Sequence, residues 1–512
     1  MKLLRKLFKF ITSRQLICAL IIIGGLVLLA IIINHYINVL FPVLVANYVL
    51  SVITILCIIN RDTIWETKAP WIIVLLVFPP LGILMYWTIG HRYKTIREAK
   101  FLKKAAKEAV QSDFYNDTDL NELKEKDVDA YGKALQIVSE THSLIYRDTF
   151  IKYYSSGEEA YDTIINALKS AKKYIFMEFF IVSNGRALEE VEHILFDKVK
   201  EGVEVRFMYD DVGSFVNLKN NYYKMLRKHG VDASCFAKFN FMAVASHNNR
   251  NHRKIIVVDG AIAFTGGINL ADEYFNFIER FGYWKDSVTE IKGHAVEEFV
   301  KEYLFDWDLN NKVTTDWKNY AIIPTKYDND SFVIPFTSGP VPIHKPEIPK
   351  HVILNLINQS NHYFYMTTPY LINDREMMCA LENAARRGVN VVISTPSHPD
   401  KLITFGLTRS YYRNLILAGV KVYEYKPGFL HEKLIVVDDK YALTGTLNFD
   451  YRCFIHHYEN AVWIYNHPEI EKMKEDFENI ISNGALQTIE MTYRKFLFRL
   501  LILVIKIFAP FF

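Results

Sequence analysis

Two stretches of the chain carry the same reactive residues in the same order. Residues 251–260 read NHRKIIVVDG and residues 430–439 read LHEKLIVVDD, each holding His-x-Lys-x4-Asp. The first copy is His252, Lys254 and Asp259; the second, 179 positions on, is His431, Lys433 and Asp438. Roughly 0.05 such patterns would arise by chance in a chain of this length and composition. An asparagine follows each histidine by 17 residues, Asn269 in AIAFTGGIN and Asn448 in YALTGTLN. Imidazole, ammonium and carboxamide in duplicate make a positive, hydrogen-bond-donating pocket, which suits a phosphodiester. Lysine and asparagine would hold its non-bridging oxygens as charge develops on them. One neutral imidazole can attack phosphorus to give a phosphohistidine. The other, protonated, can give a proton to the departing alkoxide and then act as base for the acceptor. Such a division of labour needs both copies, so half of the chain should do nothing alone.

Each histidine needs a partner on its far ring nitrogen to fix the tautomer. Acidic candidates lie downstream of each motif, Asp286 in FGYWKDS and Glu459 in HHYEN. The motif aspartates Asp259 and Asp438 belong to the catalytic signature, but they lie an odd number of residues from their histidines. On a strand they face the other way, and they read as turn-closing or lobe-bracing groups. A metal centre built from His252, His431 and the acids is disfavoured, because a lysine two residues from each histidine repels a cation. No metal and no cofactor is expected.

The motifs need elements to hold them. In HRKIIVVD, a strand would point His252 and Lys254 to one face. Asp259-Gly260 suits a tight hairpin turn, and the returning strand brings Asn269 back. Small residues before each asparagine, Gly266-Gly267 and Gly445-Thr446, let backbone approach a ligand closely. The repeat extends upstream: SAKKYIFMEFFIV (170–182) matches QSNHYFYMTTPYLI (359–372), KEGVEVRFMYDD matches RRGVNVVISTPS, and HGVDASCF matches AGVKVYEY. Each half therefore reads strand, helix, strand, helix, strand, then the His-Lys motif. This is a duplicated α/β architecture, with lobes over 150–320 and 321–490.

The chain has 512 residues, half of them hydrophobic, and a formal net charge of +3. That surplus is too small to argue for nucleic acid, whose backbone is bound by many cations. Five scattered cysteines form no disulfide framework and no CxxC pair, which fits a reducing, cytosol-facing catalytic portion. The first 95 residues read as a membrane anchor, with apolar stretches at about 16–33, 38–59 and 70–90. Lysine and arginine crowd before the first stretch and after the third, which places both ends in the cytoplasm. Three full crossings cannot do that. The third stretch, WIIVLLVFPPLGILMYW, has Pro79-Pro80 at its centre and is the candidate for a re-entrant or interfacial segment. Residues 96–149 read as a basic helical linker. The C-terminus, 491–512, carries Arg494, Lys495, Arg499 and Lys506 as one helical stripe, which suits an amphipathic helix lying in the interface.

At these motifs the sequence resembles the phospholipase D superfamily. Within it, NHRKIIVVDG with AIAFTGGINLADEY, FGYWKDS, SGP at 338–340, RSYYRNLILAGVKVYEYKPGFLHEKLIVVDD and VFPPLGILMYWTIGHR look like the bacterial cardiolipin synthases. The resemblance runs from about residue 70 to the C-terminus. It implies two phospholipase D-like lobes, each a mixed β-sheet flanked by helices, behind N-terminal transmembrane helices in the cell membrane. The implied activity is transfer of a phosphatidyl group between two phosphatidylglycerol molecules, releasing glycerol, without metal or nucleotide. Membrane lipids are then the partners, nucleic acid is not, and a homo-oligomer is left open. Carried over by residue, the site is His252, Lys254 and Asn269 with His431, Lys433 and Asn448. Analogy with the superfamily makes His252 the nucleophile and His431 the acid and base, though pseudo-symmetry permits either order. A phospholipase that hands the same intermediate to water is the alternative. The chain departs from the family at Asn248-Asn249-Arg250, where a tyrosine is frequent, and at Glu432, where a small residue is common. These departures are expected to bear on substrate preference.

Overall fold

The computed structural model describes residues 23–32, 37–61, 63–90, 117–238, 249–320, 322, 325–327, 329–341, 343–489 and 496–511. The chain divides into two compact units, Met1–Tyr93 and Lys94–Phe512.

In the first unit, Phe41–Ile59 is long and apolar enough to cross a membrane, and only 17% of that window is buried. Among the described residues it is the only such helix. Ile23–Ile32 is a shorter apolar helix, and the rest of the stretch at 16–33 lies outside the described residues. The third stretch is not one helix. Trp65–Val77 stops at Phe78, and Pro79 opens a new helix, Pro79–Met85. A proline at a helix's first position gives up only a donor that would have been unpaired there. Lys68 Nζ donates to the carbonyls of Ile59 and Arg61, at 3.0 and 2.6 Å, closing the turn between two helices.

Of the basic linker, residues 96–116 lie outside the described residues. Helices Asp117–Lys126 and Val128–Thr141 follow, the latter capped by Asp127, whose carboxylate accepts from the Ala130 amide.

The second unit contains two sheets of the same design. The first is built from β1 (Phe150–Tyr154), β2 (Tyr174–Phe179), β3 (Glu204–Asp210), β4 (Asp232–Phe236), β5 (Ile255–Val258), β6 (Ile262–Gly266) and β8 (Val288–Lys292), with β7 (Tyr283–Lys285) apart from it. Its order is β1-β8-β6-β5-β2-β3-β4. The second uses β9 (Phe332–Ser338), β10 (Tyr363–Thr367), β12 (Asn390–Pro396), β13 (Lys421–Tyr425), β15 (Leu434–Val437), β16 (Tyr441–Gly445), β18 (Glu459–Tyr465) and β19 (Gly484–Leu486). Here β11 (Leu371–Ile372), β14 (Gly428–Leu430) and β17 (Phe449–Asp450) stand apart. The order is β19-β13-β12-β10-β15-β16-β18-β9, which repeats the first sheet and adds β19 at one edge. In both, three strands run parallel and the motif strand joins antiparallel, β5 beside β2 and β15 beside β10.

Both faces of the first sheet are buried. One packs Ile175, Met177, Val205 and Phe207 under the helices Gly157–Ser170 and Arg186–Lys200. The other places Phe176 and Val257 in one core with Val436, Val462 and Ile464 of the second sheet. Helix Val296–Asn311 gives Phe299 and Tyr303 to this shared core, and helix Glu469–Ser482 gives Met473. The two lobes are thus held together by an apolar core at their mutual face.

The turns after β5 and β15 explain the motif aspartates. Asp259 and Gly260 have φ +54° and +65°, and Asp438 and Asp439 have φ +54° and +55°, the mirror-image turn that hairpins favour. Asp259 accepts from the amides of Lys172, Lys173 and Tyr174 at 2.7–2.8 Å. Asp438 does the same for Asn361, His362 and Tyr363 at 2.7–2.8 Å. Each carboxylate therefore fastens the entry of the strand beside its hairpin. Asp259→Ala or Asp438→Ala leaves three donors with only water to replace the acceptor, a loss of about 1–3 kcal/mol. Either variant should unfold roughly 2–6 °C lower in a thermal-shift assay of the solubilised protein. An unchanged midpoint for both would remove the bracing role.

At the C-terminus, helix Phe496–Lys506 lies against helix Leu402–Leu417. Gly406 makes this fit, since a Cβ there would stand 2.6 Å from Ile502 Cδ1. Leu500, Leu501, Leu503 and Val504 remain about half exposed. Lys506 lies 4.0 Å from the centre of the Tyr411 ring. Arg494 and Lys495 of the expected basic stripe, and the side chain of Arg499, lie outside the described residues.

Candidate active site

His252 and Lys254 lie just before β5, not on it. The segment is extended, but its hydrogen bonds go to the other lobe. The His252 amide donates to the Tyr458 carbonyl at 2.9 Å, beside a parallel bridge between Asn251 and Tyr458. In the second lobe β14 pairs in parallel with β7, and the His431 amide donates to the Lys285 carbonyl at 2.8 Å. Each histidine is therefore pinned to the residue that precedes the other lobe's acid.

The acids are crossed in the same way. His252 Nδ1 lies 2.9 Å from Glu459 Oε2, and His431 Nδ1 lies 2.6 Å from Asp286 Oδ2. Both acids are completely buried, while the imidazoles are 5% and 7% exposed. In each pair the Nε2 edge is left for chemistry. Thr446, the small residue before Asn448, donates its hydroxyl to Glu459 as well.

Lys254 and Lys433 both donate to the carbonyl of their own motif histidine. Burial lowers their ammonium groups to about 7 and about 8, although Glu459 and Asp286 pull the other way. Burial, helped by Lys254, His457, Lys433 and His431, holds His252 well below the usual imidazole range. Burial and Lys433 bring His431 down to about 4 against the opposing pull of Asp286. These mutual influences mark one site, with both imidazoles neutral before a ligand arrives. Burial also lifts Glu459 to about 8, with Lys254 and Thr446 opposing it.

Asn269 Oδ1 accepts from the Ile181 amide at 2.9 Å, and its Nδ2 is buried without a partner. Asn448 likewise has a buried, unpartnered oxygen in its carboxamide. Unsatisfied groups of this kind are uncommon in protein interiors and suit a polar ligand. Aromatic rings wall the two imidazoles: Phe180 at 5.0 Å from His252, Tyr274 and Trp284 each at 5.5 Å from His431. Asp259 and Asp438 stand at the far ends of their strands, engaged by backbone amides.

The residue between histidine and lysine faces the other way in each lobe. Arg253 is buried with Glu302, at 3.0 Å, and Asp306. Glu432 meets Lys285 at 3.2 Å, Tyr153 at 2.7 Å and Thr367 at 3.1 Å. Glu432 thus contributes to a buried charged cluster between the lobes. Arg250 is also buried, on Asp210 at 2.7 Å, and Asn248 lies outside the described residues. The residues that sequence reasoning missed are Phe180, Tyr274, Trp284 and His457. Two of them lie in stretches already singled out for their acids, Trp284 in FGYWKDS and His457 in HHYEN.

Twin mixed sheets with a histidine and a lysine at the seam of each define a phospholipase D-like protein. The sequence model described as "Cardiolipin synthase, PLD-like domain" matches twice, over residues 164–302 and 353–481, and a "Phospholipase D-nuclease N-terminal" model matches 49–91. The chain belongs to the cardiolipin synthase family. The cardiolipin synthase of Alkalihalophilus pseudofirmus is 35% identical over 84% of this chain and 86% of its own. That of Halalkalibacterium halodurans is 34% identical over 85% and 86%. Among solved structures, the phosphatidylserine synthase of Haemophilus influenzae superposes with a TM-score of 0.59 over 75% of this chain and all of its own, at 16% identity, a likeness of fold.

Proposed function

We propose that the protein joins two phosphatidylglycerol molecules into cardiolipin, releasing glycerol, by way of a phosphohistidine. The observation that carries this reading is the crossed pairing of two buried imidazoles with two acids. Family membership supports the choice of lipid.

His252 Nε2 attacks phosphorus while its Nδ1–H is held toward Glu459, and the bond to the glycerol oxygen breaks. His431, charged once the phosphodiester's negative charge draws a proton to it, gives that proton to the glycerol oxygen. Lys254, Lys433, Asn269 and Asn448 hold the non-bridging oxygens as the charge spreads over them. A second phosphatidylglycerol then enters, and neutral His431 takes the proton from its primary hydroxyl. That oxygen attacks phosphorus, cardiolipin leaves, and His252 is free again.

The N-terminal helices anchor the enzyme as a multi-pass membrane protein with its lobes in the cytoplasm. The half-exposed leucines of the C-terminal helix lie in the lipid interface. The basic termini and the apolar face of that helix support both placements.

Membranes containing the protein, incubated with phosphatidylglycerol vesicles, should yield cardiolipin and free glycerol, and added glycerol should reverse the reaction. Phosphatidic acid without cardiolipin would mean that water is the acceptor and would sink the transferase reading. The lysines add a pH signature. With the free ammonium groups near 7 and 8, protons leave them as pH rises, and with them the positive charge that binds phosphate. The ratio kcat/KM, which reports the free enzyme, should fall about tenfold per unit between pH 7 and 8 and about a hundredfold per unit well above 8, where both lysines have lost their protons. A flat profile between pH 7 and 10 would exclude charged lysines from substrate capture.

A further inference from the structure

His457 has no part in the chemistry above, yet it stands beside it. It lies two residues before Glu459 and is 8% exposed, and neither ring nitrogen has a hydrogen-bond partner. Its Nδ1 is 3.4 Å from Glu459 Oε1, an oxygen that also lacks a hydrogen-bond partner. The His252 and His457 rings are 5.4 Å apart, and His252 Nδ1 is 2.9 Å from Glu459 Oε2. One ligand atom from each of His252, His457 and Glu459 lies within 4.8 Å of the other two.

We propose that His252, His457 and Glu459 form an inhibitory transition-metal site of zinc type. Two imidazoles and a carboxylate are a donor set that zinc and cobalt accept, and a water fills the fourth position. Metal–nitrogen bonds of about 2.0–2.1 Å put neighbouring ligand atoms roughly 3.3 Å apart in a tetrahedron. The gap between His457 and Glu459 already has that size, so only His252 must shift slightly. Lys254 and Lys433 repel a cation here, so binding is weaker than at a structural zinc site. On binding, the ion takes the His252 Nδ1 lone pair in place of the proton shared with Glu459, and that proton moves to Nε2, where it covers the attacking lone pair. No oxidation state changes. His252 is then turned from its acid and fixed to the metal, and phosphoryl transfer stops. The inhibition rests on the nucleophilic role proposed for His252; the binding of metal does not.

The test uses the full-length protein in detergent, stripped of metal, with Co2+ as a spectroscopic probe and Zn2+ as competitor. The expected result is a set of tetrahedral ligand-field bands that Zn2+ removes. His457→Asn should lose the bands, whereas His457→Cys, which keeps a ligand, should retain them in shifted form. Thermal unfolding of both variants shows that each is folded. In the lipid assay, the Zn2+ concentration giving half inhibition should rise at least tenfold in His457→Asn. No bands in the wild type, or equal bands in His457→Asn, would overturn the site. Bands without inhibition would keep the site and overturn the role of His252.

Discussion

Replacing His431 with alanine is expected to lower cardiolipin formation by roughly 10³–10⁶-fold while leaving the protein in the membrane fraction. The imidazole is 7% exposed, and its loss removes no part of the shared apolar core. On the proposed mechanism, what disappears is the proton donor for glycerol and the base for the second hydroxyl. Asp286 would remain, buried and with no imidazole to receive its charge. His252→Ala should be as severe, because the bond to phosphorus then cannot form. Combining the two should add little to either, as expected of groups that act as a unit. Turnover within tenfold of wild type in either single variant would refute the two-histidine mechanism.

The second large effect is expected at the crossed acids. Asp286→Asn keeps the volume but accepts poorly from His431 Nδ1–H, and activity should fall about 10²–10⁴-fold. Glu459→Gln should act in the same way through His252. A stability cycle tests the crossing itself. Asp286→Asn and His431→Ala should couple by about 1 kcal/mol or more, because they share a buried hydrogen bond across the lobes. Asp286→Asn and His252→Ala should be additive within about 0.5 kcal/mol. The reverse pattern would place each acid with the histidine of its own lobe.

The crossing is also where reading from sequence stops. The two copies of the motif, the equal spacing to Asn269 and Asn448, and the strand–helix alternation upstream are local signals, and local signals carry β2 to β6 and β10 to β16. Asp286 and Glu459 could be picked out as acids within reach of an imidazole. Which acid serves which imidazole is decided by the parallel pairing of β7 with β14 and the bridge at Asn251, contacts about 150 to 200 residues apart. The same contacts explain why His252 and Lys254 stand before β5. Their segment finds its backbone partner at Tyr458, so the sheet starts only at Ile255. His457 left no such trace, since a histidine near an acid in one sequence has no period to betray it. In the anchor, Pro79-Pro80 predicted a break and the helix does stop at Phe78, because proline chemistry acts on its own backbone.

The distance between His252 and Glu459 along the chain, 207 residues, also sets a time. A ribosome adding roughly 5–20 residues per second takes on the order of 10–40 s to go from one to the other. Throughout that interval the nascent first lobe has a histidine with no carboxylate behind it. Its own acid, Asp286, waits for His431 through most of that time. On the proposed mechanism, a chain cut short anywhere before Glu459 holds at most one of the two histidine–acid pairs.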